Sequence, residues 1–191
     1  MAEQRGGAPI TDPKVMRVLA HPARIAILEH LSSSGGEVVT ATQCAEMVGL
    51  SPSATSYHLR ELAKVGLVEQ APSRGDGRER LWRATASDFS VASATDEQEG
   101  VAAERALVEV YSTRAHERLL AWLARQHDEP AEWREVASVM STLLLLDADE
   151  LGRVMRDFRA VLEPYRKAER KTGVPAGARQ VALQLSVVPI D

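Results

Sequence analysis

Apolar residues recur every three or four positions along most of this 191-residue chain and alternate with polar ones near its end. Val15, Val18 and Leu19 give the inward side of a first helix, capped by Thr11 or Asp12 and opened by Pro13. His21 reads as a turn residue, and Pro22 opens a second helix to about Ser32, with Ile25, Leu28 and Leu31 inward. Residues 32–36 form a linker, and 38–40 a short strand. Thr42 to Val48 is a third helix with Cys44, Ala45 and Val48 apolar. Gly49 supplies the left-handed turn, Leu50 anchors in the core, and Ser51-Pro52 caps and opens a fourth helix that ends near Val65-Gly66. Residues 1–10, rich in glycine and proline without apolar period, read as a disordered tail.

The fourth helix has two unlike sides. Thr55, Leu59 and Leu62 fall on one, which is narrow and apolar. Ser53, Tyr57, Arg60 and Lys64 fall on the other, with Ser56 at the flank and Ala54 near the same edge. Hydroxyls bond phosphates or base edges, arginine grips guanine with two donors, and a methyl group meets thymine. This is the chemistry of a helix-turn-helix recognition helix over 51–65. Thr42, Gln43 and Ser51, at the two helix starts, complete the candidate DNA contacts on this unit. The competing reading is a solvated face on a two-helix packing hairpin.

Leu67 to Gln70 and Arg78 to Ala84 read as strands around a turn-rich Ser73–Gly77 loop, with Asp-Gly as the hairpin signal. A basic hairpin after a recognition helix makes a wing over 67–84, with Arg74 at its tip and Arg78 and Arg80 on one face to hold the backbone or a minor groove. The 38–40 strand would complete its sheet. Residues 12–86 resemble the ArsR family of winged-helix repressors. The likeness rests on His21-Pro22 with Arg24, Ile25 and Leu28, on Gly49-Leu50-Ser51, on Ser56-Tyr57-His58-Leu59, and on Leu62 through Val68. It implies a homodimer formed through helices flanking the winged helix.

Residues 87–100 are small, polar and acidic, a linker with Phe89 and Val91 as anchors. A long helix follows from about Val101 to Gln126. Its stripe includes Leu107, Val110, Tyr111, Leu119 and Trp122, read as the dimer interface. Such a helix is about 38 Å long, more than a small domain needs for itself. Val136 to Leu146 reads as a strand, Asp147 and Glu150 as the capping box of a further helix, and Gln180 to Val188 as an alternating strand antiparallel to the first. The expected fold is α+β, mainly α. It comprises a winged helix-turn-helix domain (11–86), then a long dimerisation helix and a small helix–strand–helix–strand domain (101–191).

Charge sharpens this only a little. The chain carries −4 overall, yet residues 51–85 hold six cations against four acids. Affinity for DNA should therefore be moderate, salt-sensitive and dependent on two copies. One cysteine excludes an internal disulfide, and the absence of a long apolar run or leader pattern points to the bacterial cytoplasm or nucleoid, without a membrane.

The ArsR resemblance also implies where metal ligands would lie. Thr40 and Thr42 stand where one sensor type has thiolates, and Arg114 and Pro130 interrupt the other type around His116 and His127. No metal or cofactor is expected, and Cys44 reads as a small core residue. The second half could enclose a small-molecule effector, bind a protein partner or only widen the dimer interface, and nothing in its sequence picks one. The expected function is a sequence-specific, dimeric, DNA-binding transcriptional regulator, most simply a repressor. The alternative is a winged-helix protein-interaction module, and no motif supports an enzyme.

Overall fold

A computed structural model describes residues 10–34, 36–72, 80–86, 91, 97–166, 170 and 172–190. Four helices come first: α1 (Pro13–Leu19), α2 (Pro22–Ser33), α3 (Ala41–Val48) and α4 (Pro52–Lys64). Strands β1 (Val39–Thr40), β2 (Val68–Ala71) and β3 (Leu81–Ala84) form an antiparallel sheet in the order β1-β3-β2. Helices α5 (Gln98–Arg125), α6 (Ala131–Val136) and α7 (Ala148–Leu162) follow. The molecule is thus mainly helical, with a small sheet and a winged helix-turn-helix at its N-terminal end.

Local chemistry sets most boundaries. Asp12, Ser51 and Asp147 each accept a backbone N–H at a helix start, and Pro13, Pro22 and Pro52 occupy the first helical positions. Asp147 and Glu150 form a reciprocal capping box at α7, as their spacing predicts. Gly49 ends α3 at φ +70°, where a side chain would be strained. The sheet registers Trp82 opposite Val39 on one side and Gln70 on the other, so β1 closes the wing as expected.

The core lies among α1, α2, α4, the sheet and the first half of α5. Leu19, Ile25, Ile27, Leu28 and Leu31 meet Leu59 and Leu62 there, with Trp82 and Val68 closing from the wing. Leu50 and Val91 pack at its edge. Cys44 is fully buried, and burial lifts its thiol to about 11, so it stays protonated and behaves as the small hydrophobe expected. α5 is pinned by Ala103 and Leu107 in this core, by an Arg17–Glu99 ion pair, and by Arg114 and Arg118, which both hold Glu29 of α2. Arg114 at the position where a metal-sensing carboxylate would stand is therefore a tie between helices.

Several expectations need correction. Ile10, assigned to the tail, is buried and bridges Val91 in parallel, because a lone β-branched residue finds apolar cover at the edge of the core. Leu107, assigned to a dimer interface, is wholly enclosed by its own domain, and Val110 and Tyr111 also pack on that core. Leu119 and Trp122, further along α5, are half-buried outside that core. The strands predicted over 136–146 and 180–188 are not formed. α6 includes Val136, and residues 137–147 and 178–190 run exposed without pairing to any described residue. Alternation shows which faces want burial, but a strand also needs a partner edge.

The core gives contrasting predictions at α4. Leu59→Ala removes a fully buried side chain and should cost about 2–5 kcal/mol in denaturant unfolding. Thr55→Val should be neutral or stabilising by up to about 2 kcal/mol, because the Thr55 hydroxyl is buried without a hydrogen-bond partner among the described residues. A Thr55→Val loss as large as that of Leu59→Ala would contradict this packing.

Candidate nucleic-acid interface

The two helices of the turn meet through tightly specified ends. Thr40 Oγ1 accepts from Gln43 N at 3.1 Å while Gln43 Oε1 accepts from Thr40 N at 2.9 Å. Leu50 N–H returns to Ala45 O at 3.0 Å around Gly49. Ser51 Oγ accepts from Ala54 N at 3.2 Å. The Leu50 bond and the Ser51 cap shape the turn between α3 and α4, the Thr40–Gln43 pair fixes the start of α3, and the burial of Thr55, Leu59 and Leu62 fixes the rotation of α4 about its axis.

That rotation places the predicted residues as follows. Ser53, Tyr57, Arg60 and Lys64 are exposed, and Ala54 and Ser56 are half-buried beside them. Thr42, Gln43 and Ser51 are exposed at the helix starts. Gln43 and Ser51 have an oxygen engaged in capping, so Gln43 has its amide N–H groups left to give and Ser51 its hydroxyl proton. Lys64 is paired with Glu61 at 2.6 Å, an exposed contact that a phosphate can displace. Arg80 is exposed at the start of β3, whereas Arg74 and Arg78 lie outside the described residues.

A cavity of about 260 Å³ opens on this side. Thr40, Ala41 and Thr42 from the start of α3, Ser56 and Arg60 from α4, and Arg80 and Trp82 from the wing line it. Two arginines, two threonines and a serine therefore line one cavity beside the N-terminal end of α3, with Trp82 among them. This lining suits an anion with an adjoining apolar group. The sequence pattern named Thr42, Ser56, Arg60 and Arg80 separately. Their meeting depends on β3 lying next to β1, which no local spacing shows.

Behind α4 lies a pair that sequence reasoning missed. His21 caps α2, its Nδ1 accepting from Ala23 N at 3.1 Å, so the reading as a turn residue holds. Its ring lies 4.7 Å from that of His58, which Tyr57 meets edge-on at 5.3 Å. His58 is buried with Nδ1 unpartnered among the described residues. Burial lowers the pKa of both rings. Arg24 lowers them further, as does His21 for His58, while Glu61 pulls His58 the other way. Both imidazoles are thus held neutral under the outward residues.

Known proteins bear on this geometry in one respect above all. A family model described as a helix-turn-helix domain matches residues 19–71, from the last residue of α1 to the last of β2. The chain carries a helix-turn-helix domain. With the wing, it is a domain of the kind found in DNA-binding transcriptional regulators. Among solved structures, the chain is similar to a double mutant of ZitR from Lactococcus lactis in apo form, at 18% identity over 76% of this chain and 83% of that one, with TM-score 0.34. It is similar to a possible transcriptional regulator for arsenical resistance at 30% identity over 56% of this chain and 94% of that one, TM-score 0.33. Wild-type MarR from E. coli, in apo form, is similar at 16% identity over 78% and 89%, TM-score 0.32. No curated protein matches the chain. Among the described residues, no helix is long and apolar enough to cross a membrane, and no three His, Cys, Asp or Glu side chains gather as a metal site.

The histidine pair generates a pH prediction. With both rings harder to protonate when folded, the unfolded chain takes up protons first as pH falls. Stability from this pair is complete above about pH 6.5 and is lost as pH drops through the lowered folded values. Urea midpoints measured from pH 7.5 down to about 5.5 should fall, and a His58→Asn variant should show a shallower decline. Equal slopes would remove the pair from this role.

Proposed function

We propose that the chain is a sequence-specific, homodimeric transcriptional repressor of the ArsR type, acting on double-stranded DNA in the bacterial cytoplasm. α4 lies in the major groove. Ser53, Ala54, Tyr57 and Arg60 face base edges, while Thr42, Gln43, Ser51, Ser56 and Lys64 meet phosphates beside them. Arg80 holds the backbone from the wing, and Arg74 and Arg78 extend that grip by their place in the sequence. The observation that supports this reading best is the two-sided burial of α4. Its apolar residues are sealed in the core, while Tyr57 is 50% exposed and the exposed Arg60 lines a cavity together with Arg80.

Fluorescence anisotropy on a DNA fragment selected by the protein tests this. Arg60→Ala should weaken binding by about 1–3 kcal/mol, roughly 5- to 150-fold, and Arg105→Ala, on the exposed side of α5, should leave it unchanged. Raising salt from 50 to 200 mM should lower affinity on the order of 10³-fold if six phosphates are contacted. Binding that ignores both the arginine and the salt would favour a protein-interaction module.

A further inference from the structure

The C-terminal part holds two exposed segments whose backbones pair with no strand among the described residues. Residues 137–147 leave α6, and residues 178–190 follow the turn after α7. Neither contains a bend or turn, and Ala137 and Asp147 have extended backbone. Among the described residues, no backbone hydrogen bond joins either segment to a strand. Each exposes six large apolar side chains. Leu145 is 98% exposed and Met140 82% in the first, and Val181 68% and Ile190 76% in the second. No charged residue interrupts 138–146 or 180–190.

Both segments start from one corner of the molecule. The first begins at the end of α6. The second is tied there by Arg179, which donates to Glu129 at 2.6 and 3.3 Å and lies over the Trp133 ring at 5.0 Å. Between them α7 presents Leu151, Met155, Phe158 and Leu162 at helical spacing, all half-buried, and Val154 and Val161 exposed. The unit is thus two extended segments flanking a helix, with no sheet between them among the described residues.

We infer that a second copy of this chain supplies it: the 138–146 and 180–188 segments of two copies pair across a two-fold axis into one intermolecular sheet, covered by the two α7 helices. Three observations favour a second copy over another occupant. An uncharged seam gives no charge code for a different protein, but it suits an isologous contact, in which each surface meets its own equivalent. A stable interface buries about 800 Å² per partner. With alternate residues on opposite faces, seven of these side chains share the face toward α7, and at roughly 60–100 Å² each they approach that amount. Two open edges in every copy also give two-fold pairing a partner for each. The inference rests on the homodimer reading above and names its surface, on segments outside the residues that the helix-turn-helix model matches.

Sedimentation and amide hydrogen exchange of the full chain, without DNA, test it together. The wild type should sediment with twice the chain mass at micromolar concentration, with amides of 139–146 and 181–188 protected. A Leu145→Asp, Leu185→Asp variant should sediment at half that mass, lose this protection and keep the protection of α2 and α4. A wild-type dimer whose two segments exchange like free chain would overturn the inference and leave the homodimer reading standing. A monomer, with the segments protected or not, would overturn both. DNA binding is not read in either measurement, so its failure remains distinct.

Discussion

Thr55, Leu59 and Leu62 turn one side of α4 into the interior, and this packing determines where every outward residue points. A helix has one free rotation about its axis, and three buried positions on one stripe remove it. Ser53, Tyr57 and Arg60 are then held outward by the rotation of the helix, Tyr57 also resting edge-on against His58. The left-handed turn at Gly49, the Leu50 bond back to Ala45 and the Ser51 cap shape the turn between α3 and α4. The shape of this face is set before any partner arrives, so ordering α4 would cost little on binding.

The same core connects the reading helix to the rest of the chain. α2 packs on α4 through Leu28 and Leu31, and α5 packs behind it through Leu107. Glu29 adds a double ion pair to Arg114 and Arg118. Partly exposed pairs of this kind contribute little energy, but they fix the register of α5 on α2. A contact between copies beyond α5 would therefore set the separation of two α4 helices through packed elements. The chain in effect uses its first half of α5 as core and leaves its second half, with Leu120 and Leu123 exposed, to extend outward.

Legibility in the sequence followed the range of the interaction. Caps, prolines and the Gly49 turn act within four residues, and each of them stands where spacing put it. The apolar side of α4 was legible for the same reason, because 3.6-residue periodicity is local. The wing sheet was legible through its hairpin signal, and the short Val39–Thr40 strand through its position. What escaped reading depends on distant partners. His58 was assigned to neither side of α4, yet it is buried with its ring against that of His21 at the head of α2. Leu107 carried the same periodic signal as the rest of its stripe, and only the fold shows that α1 covers it. Alternation in 180–188 stated a need for burial without naming the chain that meets it. The cavity at Arg60 and Arg80 needed the wing to fold back beside α3.

The central claim is that the outward side of α4 reads a duplex in pairs. Selection of bound fragments from a random pool of double-stranded DNA tests it most directly. The account predicts enrichment of a two-fold symmetric sequence with half-sites about one or two helical turns apart. A pool that enriches no sequence after repeated rounds would contradict it.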